Sequence, residues 1–289
     1  MAKPTITIIG PGRLGAALAV ALHDANYRIE EIVFQRSPGQ RHAHGSEQNA
    51  RRLARRLRAQ AAEFGRAKFQ AEVVWLCVGD SAIARVAQSI SKRSSWKRKV
   101  VFHSSGALTS TELASLRRAG ASVASVHPLM SFVHGGAEAI FEIPFAVEGD
   151  AKAVAVAKSI IRDLGGESLK ISAANKPLYH AFGAFVSPLV IANIALAEKV
   201  GIKAGVPKRL VRQAIAPILA TTVFNYITMG AGSAFSGPLV RGDVATVRKN
   251  LEALRGVPDA EAVYCALARS SLKTLPVQNR KALAKLLAG

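Results

Sequence analysis

The first 172 residues alternate short β-branched apolar runs with longer segments in which apolar residues recur every three or four positions. Such runs predict strands and helices, respectively. The predicted strands are 5–9, 29–35, 72–78, 98–103, 122–126, 143–147 and 167–171. The predicted helices between them are 13–25, 47–63, 81–92, 108–119 and 151–164. This alternation predicts an α/β fold with a doubly wound, mostly parallel sheet of the Rossmann type.

Beyond residue 171 the strand pattern stops and only helical patterns follow. They span 175–200, 208–229, 243–254, 259–274 and 279–287. Pro188 is expected to kink the first of these helices, because proline removes a backbone hydrogen bond. We therefore divide the chain into a Rossmann-like domain of residues 1–172 and an all-helical domain of residues 173–289.

The first predicted strand runs directly into a glycine-rich turn and then a helix. The turn reads Gly10-Pro11-Gly12-Arg13-Leu14-Gly15, the pattern G-x-G-x-x-G. In a dinucleotide site, Gly10 permits the tight turn, Gly12 lets the backbone approach a pyrophosphate, and Gly15 lets the helix pack closely on the strand. The helix N-terminus offers free N–H groups to the phosphates. We predict that these three glycines, Arg13 and Leu14 bind the cofactor.

The end of the second predicted strand distinguishes NADP from NAD. An NAD site carries Asp or Glu about 20 residues after the third glycine. This chain instead reads Phe34-Gln35-Arg36-Ser37, without a carboxylate. The Arg36 guanidinium suits a 2′-phosphate, and Ser37 adds a hydroxyl and an N–H. NADP is therefore favoured, and the alternative is a solvated loop arginine. The polar segment 42–48 is expected to be a flexible loop beside the cofactor.

Polar residues follow the strands at their carboxyl ends, where ligands of open α/β sheets bind. The strand at 72–78 ends in Val78-Gly79-Asp80. We predict that Val78 and Gly79 contact the cofactor and that Asp80 caps the helix beginning at Ser81.

Two histidines lie at neighbouring strand ends. His103 precedes Ser104-Ser105-Gly106, and His127 ends the following strand. Each histidine either takes part in chemistry or is structural, with its ring hydrogen-bonded to the backbone. The hydroxyls and the glycine are better candidates for lining the nicotinamide and a substrate oxygen. We assign Ser104 to the cofactor, and Ser105, Gly106 and His127 to the substrate.

The first helix of the second domain carries a polar stripe. Lys176, His180, Gly183 and Ser187 recur at i, i+4, i+7 and i+11 and therefore share one face. A general acid for carbonyl or imine reduction must reach the substrate heteroatom and be protonated near neutral pH. Lys176 and His180 are the catalytic candidates, and Ser187 is a predicted substrate contact. The alternative is an exposed lysine and a histidine held between domains. Arg241, in a later loop, is predicted to pair with a substrate carboxylate.

Composition limits the classes of partner. The net charge is +20, yet aromatic residues make up only 6% and the basic residues are scattered, unlike those of a nucleic-acid protein. The densest run, 51–58, is predicted to be an amphipathic helix with a solvated arginine face. This charge favours anionic cofactors and substrates.

Cysteine usage and hydropathy point to a cytoplasmic protein. The two cysteines, Cys77 and Cys265, are spaced for neither a metal site nor a disulfide framework. No apolar run is judged to reach transmembrane length, and the first predicted strand leaves no room for a signal peptide. We therefore expect no membrane, no metal and no specific nucleic-acid partner.

At these residues the chain resembles a family of bacterial Rossmann-like oxidoreductases with a helical C-terminal domain of formerly unknown function, in the 6-phosphogluconate dehydrogenase C-terminal-like superfamily. The resemblance rests on Gly10 to Gly15, His103-Ser104-Ser105-Gly106, His127-Pro128-Leu129, Tyr179-His180-Ala181 and Gly237 to Asp243. It implies NADP-dependent reduction and a homodimer formed through the helical domains. Some similar proteins act as an alternative ketopantoate reductase, and more distant relatives reduce pyrroline-5-carboxylate.

The resemblance also bears on catalysis. In the superfamily's hydroxyacid dehydrogenases a lysine on this helix acts as acid and base, followed one turn later by Asn. Lys176 matches that lysine, and His180 occupies the Asn position. We expect an NADP(H)-dependent oxidoreductase that reduces C=O or C=N in a small anionic substrate, with a 2-oxoacid such as ketopantoate favoured. The alternatives are an imine reductase and a non-catalytic NADP-binding sensor.

Overall fold

The computed structural model describes residues 3–35, 41–132, 136 and 140–288, with the backbone alone for 41–45. The chain divides into two compact units, Met1–Ser187 and Pro188–Gly289. The strands end near residue 171, as expected, but the compact units divide later. The reason is that Lys176 and Tyr179, on the next helix, are buried in the first unit.

One eight-stranded sheet forms the centre of the first unit. Its strands are β1 (Ile6–Ile9), β2 (Ile29–Phe34), β3 (Gln60–Glu63), β4 (Val73–Leu76), β5 (Val100–His103), β6 (Ser122–Pro128), β7 (Pro144–Gly149) and β8 (Glu167–Lys170). The strand order is β3-β2-β1-β4-β5-β6-β7-β8. Neighbouring strands are parallel except β6 and β7. The predicted mostly parallel Rossmann sheet is confirmed.

Helices cover both faces of this sheet. They are α1 (Arg13–Asp24), α2 (Arg41–Arg56), α3 (Asp80–Ile90), α4 (Ala114–Arg118) and α5 (Ala151–Asp163). A further helix, α6 (Lys176–Val186), follows β8 along the chain. Side chains alternate along each strand, so Ile8 and Trp75 pack in the core with α1, α2 and α5. Ile9 and Leu76 pack on the other face with α3 and α4. The first unit is therefore a three-layer, doubly wound structure.

The segment predicted as one helix over 47–63 is divided in the structure. α2 ends at Arg56, Arg58 has a φ of +53°, and β3 then pairs in parallel with β2. The helix prediction is wrong beyond Arg56, because the glutamine, alanines and glutamate of β3 favour a helix only locally, whereas pairing with β2 satisfies their backbone groups. The loop expected at 42–48 is also wrong, since the backbone is helical from Arg41.

The arginine-rich run at the end of α2 has the predicted amphipathic burial. Ala54 and Leu57 are buried, whereas Arg51, Arg52 and Arg55 are exposed. These arginines thus form a solvated face.

The second unit is helical throughout its described part, apart from turns and loops. Its helices are α7 (Pro188–Lys203), α8 (Val211–Ala234), α9 (Val244–Leu254), α10 (Ala260–Thr274) and α11 (Arg280–Leu287). The last three share a small core that includes Val247, Leu272 and Leu283. The helix predicted over 175–200 is interrupted at Ser187, so the expected effect of Pro188 is confirmed as a break between α6 and α7.

Among the described residues, two helical stretches are long and apolar enough, by length and composition alone, to cross a membrane. They are Ala173–Lys203 and Val211–Ala234. The expectation that no segment reaches transmembrane length is therefore wrong by this measure, although core helices of globular proteins meet it as well. In the single chain, α8 exposes large apolar side chains, among them Ile218, Phe224 and Ile227.

The glycine turn between β1 and α1 is built as the sequence predicts. Gly10 has a φ of +94°, a conformation that favours glycine. A Cβ on Gly15 would lie 2.1 Å from the Gly10 carbonyl oxygen, so the helix packs on the turn without room for a side chain. A Cβ on Gly12 would meet no atom within 4 Å. The structural roles predicted for Gly10 and Gly15 are confirmed, and Gly12 faces open space.

We predict that Gly15→Ala lowers the free energy of unfolding by about 3 kcal/mol, because its methyl group collides with backbone. Gly12→Ala is the matched control. Its φ of −72° suits alanine, so it should lower the free energy of unfolding by about 1 kcal/mol or less, the effect of a poorer helix cap. Urea denaturation followed by circular dichroism measures both values. Equal losses in the two variants would contradict this account of the turn.

Candidate functional site

A cavity of about 450 Å³ lies at the carboxyl ends of the central strands. Its lining residues are Gly12, Arg13, Leu14, Cys77, Val78, Gly79, Asp80, Ser104, Ser131 and Phe132. Most of the predicted cofactor contacts therefore line one cavity, while Gly10 and Gly15 support its turn. Ser131 and Phe132 were not predicted. They follow the end of β6, and that position at the sheet edge is the signal that could have identified them.

The N-terminus of α1 is suited to an anion. No side chain caps it, and its first turn carries no acidic residue. The free N–H groups and positive dipole end of such a helix bind phosphate. With the open space beside Gly12, these features fit the pyrophosphate of a dinucleotide. Arg36 and Ser37, predicted to contact the 2′-phosphate, lie outside the described residues.

Asp80 does not cap α3, contrary to the prediction. The helix begins at Asp80 itself, after Gly79, and no side chain caps it. The Asp80 carboxylate instead accepts a 2.9 Å hydrogen bond from Ser105 Oγ. As the first helical residue, Asp80 can reach across to the end of β5, where it helps to hold the loop that follows.

Ser105 anchors this loop. Besides donating to Asp80, its Oγ accepts hydrogen bonds from the backbone N–H groups of Ala107 and Leu108, at 3.2 and 2.9 Å. Ser105 is 5% exposed. Its hydroxyl is thus committed to the protein. Its backbone N–H donates to His103 and its carbonyl accepts from Lys176 and Ser125. Ser105 therefore positions the loop, and these bonds leave no polar group of Ser105 for the predicted substrate contact.

The neighbouring Ser104 is anchored differently. Its Oγ accepts a 2.8 Å hydrogen bond from Trp75 Nε1 on β4, and it lines the cavity. Beside it, burial raises the pKa of the Cys77 thiol to about 12. Cys77 therefore contributes a neutral side chain to the wall of the cavity.

His103 has the structural role that the sequence left open. Its Nδ1 accepts a 3.1 Å hydrogen bond from the Ser105 N–H, and its Nε2 lies 3.0 Å from the Thr109 carbonyl oxygen. The proton is therefore assigned to Nε2, the nitrogen that can donate to a carbonyl. Burial lowers the pKa of His103 to about 4. The neutral ring orders the turn after β5.

Lys176 is buried, with 1% of its surface exposed. Its Nζ donates to the Ser105 carbonyl oxygen at 2.7 Å and to Ser125 Oγ at 2.6 Å. Ser125 Oγ itself donates to the same carbonyl at 3.1 Å. Burial lowers the pKa of Lys176 to about 8, against the opposing effect of the Glu148 and Asp80 carboxylates. These bonds join α6 to the loop after β5 and to the middle of β6.

This placement rules out the alternative of an exposed lysine. Lys176 is not among the residues that line the cavity, and its catalytic role stays a prediction. Ser125 was missed by the sequence analysis. Its signal is a lone hydroxyl in the otherwise apolar stretch Val123 to Val126 of a buried strand.

Two imidazole rings meet over Gly106. A Cβ on Gly106 would lie 2.9 Å from His127 Nε2 and 3.0 Å from His180 Nδ1. Glycine is therefore needed for both rings to approach the strand end. His180 is exposed, so two of the predicted substrate contacts and one predicted catalytic residue lie together.

The ring of His127 is held from its other side by Tyr179. The Tyr179 hydroxyl lies 3.0 Å from His127 Nδ1, and the two rings meet edge to face. Burial lowers the pKa of His127 to about 4, and the Lys176 charge adds to this effect. Burial also raises the pKa of Tyr179 to about 12. Both groups are neutral near pH 7. Tyr179 was not predicted as a site residue, although it lies one turn from Lys176.

Two further predicted substrate contacts are Ser187 and Arg241. Ser187 follows the end of α6, because the helix breaks before Pro188, so it does not continue the stripe of Lys176 and His180. Arg241 is exposed in the second unit, in the loop before α9. Its role stays a prediction.

Comparison with known families matches both halves of the chain. Residues 1–128 match a Rossmann-like domain, and residues 143–271 match a domain of unknown function, DUF2520. A search of curated proteins finds no match.

Solved structures share the fold over most of the chain. A candidate NADP oxidoreductase from Bacteroides fragilis is 22% identical, with a TM-score of 0.71 and coverage of 93% of this chain and 97% of that one. A protein from Thermotoga maritima is 22% identical, with a TM-score of 0.71 and coverage of 98% of each chain. A reductive aminase from Aspergillus terreus, solved with NADPH and ethyl-5-oxohexanoate, is 16% identical, with a TM-score of 0.62 and coverage of 94% of each. The chain thus joins a Rossmann-like domain to a DUF2520 domain, the combination that its motifs indicated.

Proposed function

We propose that this protein is an NADP(H)-dependent oxidoreductase that reduces a C=O or C=N bond of a small substrate. The observation that carries the proposal is the short segment after β5. Ser104 lines the cavity below the uncapped end of α1, and Gly106, two residues later, lies beneath His127 and His180. The cofactor cavity and the two histidines are therefore next to the same short loop.

Gly12, Arg13, Val78, Gly79 and Ser104 would hold the cofactor, since they line the cavity. When bound, a reduced nicotinamide supplies a hydride to an unsaturated carbon. The choice of NADP is supported by Arg36 and Ser37 in the sequence. It is also supported by neighbours of the same fold, which include the Aspergillus reductase with NADPH and a Plasmodium falciparum pyrroline carboxylate reductase with NADP bound.

His180 is the proposed general acid. Its ring is exposed and its Nδ1 lies over Gly106, next to His127. The proton that completes the reduction passes from the imidazolium form of His180 to the substrate oxygen or nitrogen and leaves a neutral imidazole. Lys176, which the sequence also proposed as an acid, is fully buried and hydrogen-bonded. We assign it a positioning role, because it holds the Ser105 carbonyl and so fixes the loop that carries Gly106.

The substrate class has two candidates. The net charge of +20 favours an anion, and a 2-oxoacid such as ketopantoate fits the family resemblance. The structural neighbours instead include imine reductases and pyrroline-5-carboxylate reductases, such as those of Streptomyces aurantiacus and Coxiella burnetii. A non-catalytic NADP-binding sensor is the alternative outside enzymes.

We predict that the purified protein oxidises NADPH with at least one member of a panel of 2-oxoacids, including ketopantoate, and cyclic imines. His180→Ala should lower kcat by about 100-fold, the effect of removing a general acid, and leave the Kd for NADPH unchanged. His23→Ala, at the other end of α1, is the matched control and should keep the parent kcat. Steady-state kinetics and calorimetry measure these values.

The outcomes separate the alternatives. An unchanged kcat in His180→Ala would show that this histidine is not the acid. Tight NADPH binding without turnover of any substrate would favour the sensor. The absence of binding to either nicotinamide cofactor would overturn the proposal.

We also propose a homodimer in which a second copy covers the exposed face of α8. Among its residues Val211–Ala234, Arg212 is the one charged residue, and large apolar side chains are exposed along the helix. Exposed apolar patches of this kind mark protein or membrane contacts. A second copy presents the same apolar surface, so the two faces are chemically complementary.

Light scattering should therefore give twice the chain mass of 30.5 kDa. Ile227→Lys should shift the protein towards the monomer, because it places a charge in the proposed interface. Gln48→Lys, at an exposed position of α2, should not change the measured mass. A stable monomer that sediments with lipid vesicles would contradict the dimer and assign these helices to a membrane surface.

A further inference from the structure

We propose that His127 donates a hydrogen bond to the substrate from Nε2 and that Tyr179 fixes the proton on that nitrogen. This inference rests on the proposed function and narrows its substrate class. The reacting group must then present a lone pair to His127. A carbonyl oxygen or an unprotonated imine nitrogen does so, whereas a protonated iminium nitrogen does not.

The hydrogen bond between Tyr179 and His127 has two possible directions. Either the phenol donates to Nδ1, which leaves the ring proton on Nε2, or Nδ1 carries the proton and donates to the phenol oxygen. The heavy atoms are 3.0 Å apart in both cases. The direction determines whether Nε2 acts as a donor or as an acceptor.

The surroundings of Tyr179 favour the phenol as donor. Its side chain is 8% exposed, and His127 Nδ1 is the partner that its hydroxyl has among the described residues. If the imidazole donated, the phenol hydrogen would lack an acceptor, and an unpaired buried donor costs about 1–3 kcal/mol. An imidazole nitrogen with a free lone pair is a good acceptor for this hydrogen. The proton of His127 is therefore assigned to Nε2.

His127 Nε2 then has a free N–H. The described part of the chain supplies no hydrogen-bond partner for it, and this edge of the ring lies over Gly106 beside His180. The ring stays neutral because it is buried next to the Lys176 ammonium. A neutral imidazole of this kind can polarise a carbonyl by donating a hydrogen bond, while a separate group delivers the proton.

The assignment discriminates between substrates. A site that donates to a substrate oxygen disfavours an analogue that cannot accept, because its own donor is then left unpaired. A protonated iminium would place a second N–H against Nε2–H. His127 therefore selects carbonyl compounds and unprotonated imines. The site would thus distinguish two protonation states of the same C=N substrate, in addition to accepting C=O.

The first test is the tautomer itself. The measurement is ¹⁵N NMR of protein with labelled histidine, in which the His127 signals are identified by their loss in His127→Gln. It should show a protonated Nε2 and an unprotonated Nδ1. Tyr179→Phe should shift these signals towards the other tautomer and lower kcat by about tenfold with little change in the Kd for NADPH. Tyr264→Phe, at a half-buried tyrosine on α10 outside the proposed interface, is the control and should change neither.

The second test concerns the substrate. For a cyclic imine, kcat/KM should rise about tenfold per pH unit below the pKa of the imine itself, because only the unprotonated form is accepted. A carbonyl substrate should lack this dependence.

Each contrary result has a distinct meaning. A proton on Nδ1 of His127, or a rate that follows the protonated imine, would overturn the inference. Unchanged signals in Tyr179→Phe would remove the role of Tyr179. A failure to bind NADPH would overturn the proposed function, while the tautomer measurement would still decide the assignment of the His127 proton.

Discussion

The arrangement of the site depends on the buried ammonium group of Lys176. Its two hydrogen bonds, to the Ser105 carbonyl and to Ser125 Oγ, attach α6 to the loop after β5 and to β6. Burial of a charge is unfavourable unless it is hydrogen-bonded and balanced. Here the Asp80 and Glu148 carboxylates supply the balancing charge. The loop that carries Gly106 is therefore held at Ser105, whose carbonyl accepts from Lys176 and whose hydroxyl donates to Asp80.

This cation also adds to the effect of burial on two neighbouring histidines. His103 is buried and His127 is half-buried, and both remain neutral near pH 7 because desolvation, and to a smaller extent the Lys176 ammonium, opposes a positive charge on each ring. Neutral imidazoles hydrogen-bond through one nitrogen as donor and the other as acceptor. His103 uses both nitrogens for the loop, whereas His127 keeps one for a ligand. One buried charge thus organises a structural and a functional histidine.

The sequence predicts the local parts of this site well. The glycine turn and the strand ends follow from short patterns, since positive φ and close packing are local properties. The polar stripe on α6 is not kept, because Lys176 is buried and the helix ends before Ser187. Partners that come from distant segments are not predicted. The local sequence predicts that Asp80 caps a helix, but its partner is Ser105, which lies 25 residues later. The burial of Lys176 likewise depends on a hydrogen bond to Ser125, which lies 51 residues earlier. The helix predicted over the edge strand β3 is wrong for the same reason, because pairing with β2 overrides the local helix preference.

The burial of the Lys176 ammonium is tested most directly by the pH dependence of stability. With a pKa of about 8 in the folded protein and about 10.4 in the unfolded chain, the unfolded state holds more protons between these values. The free energy of unfolding should therefore rise with pH across this window. The comparison is with Lys176→Met, which cannot titrate. We predict that the parent gains stability relative to this variant from pH 8 to pH 10; a difference that stays constant with pH would contradict the account.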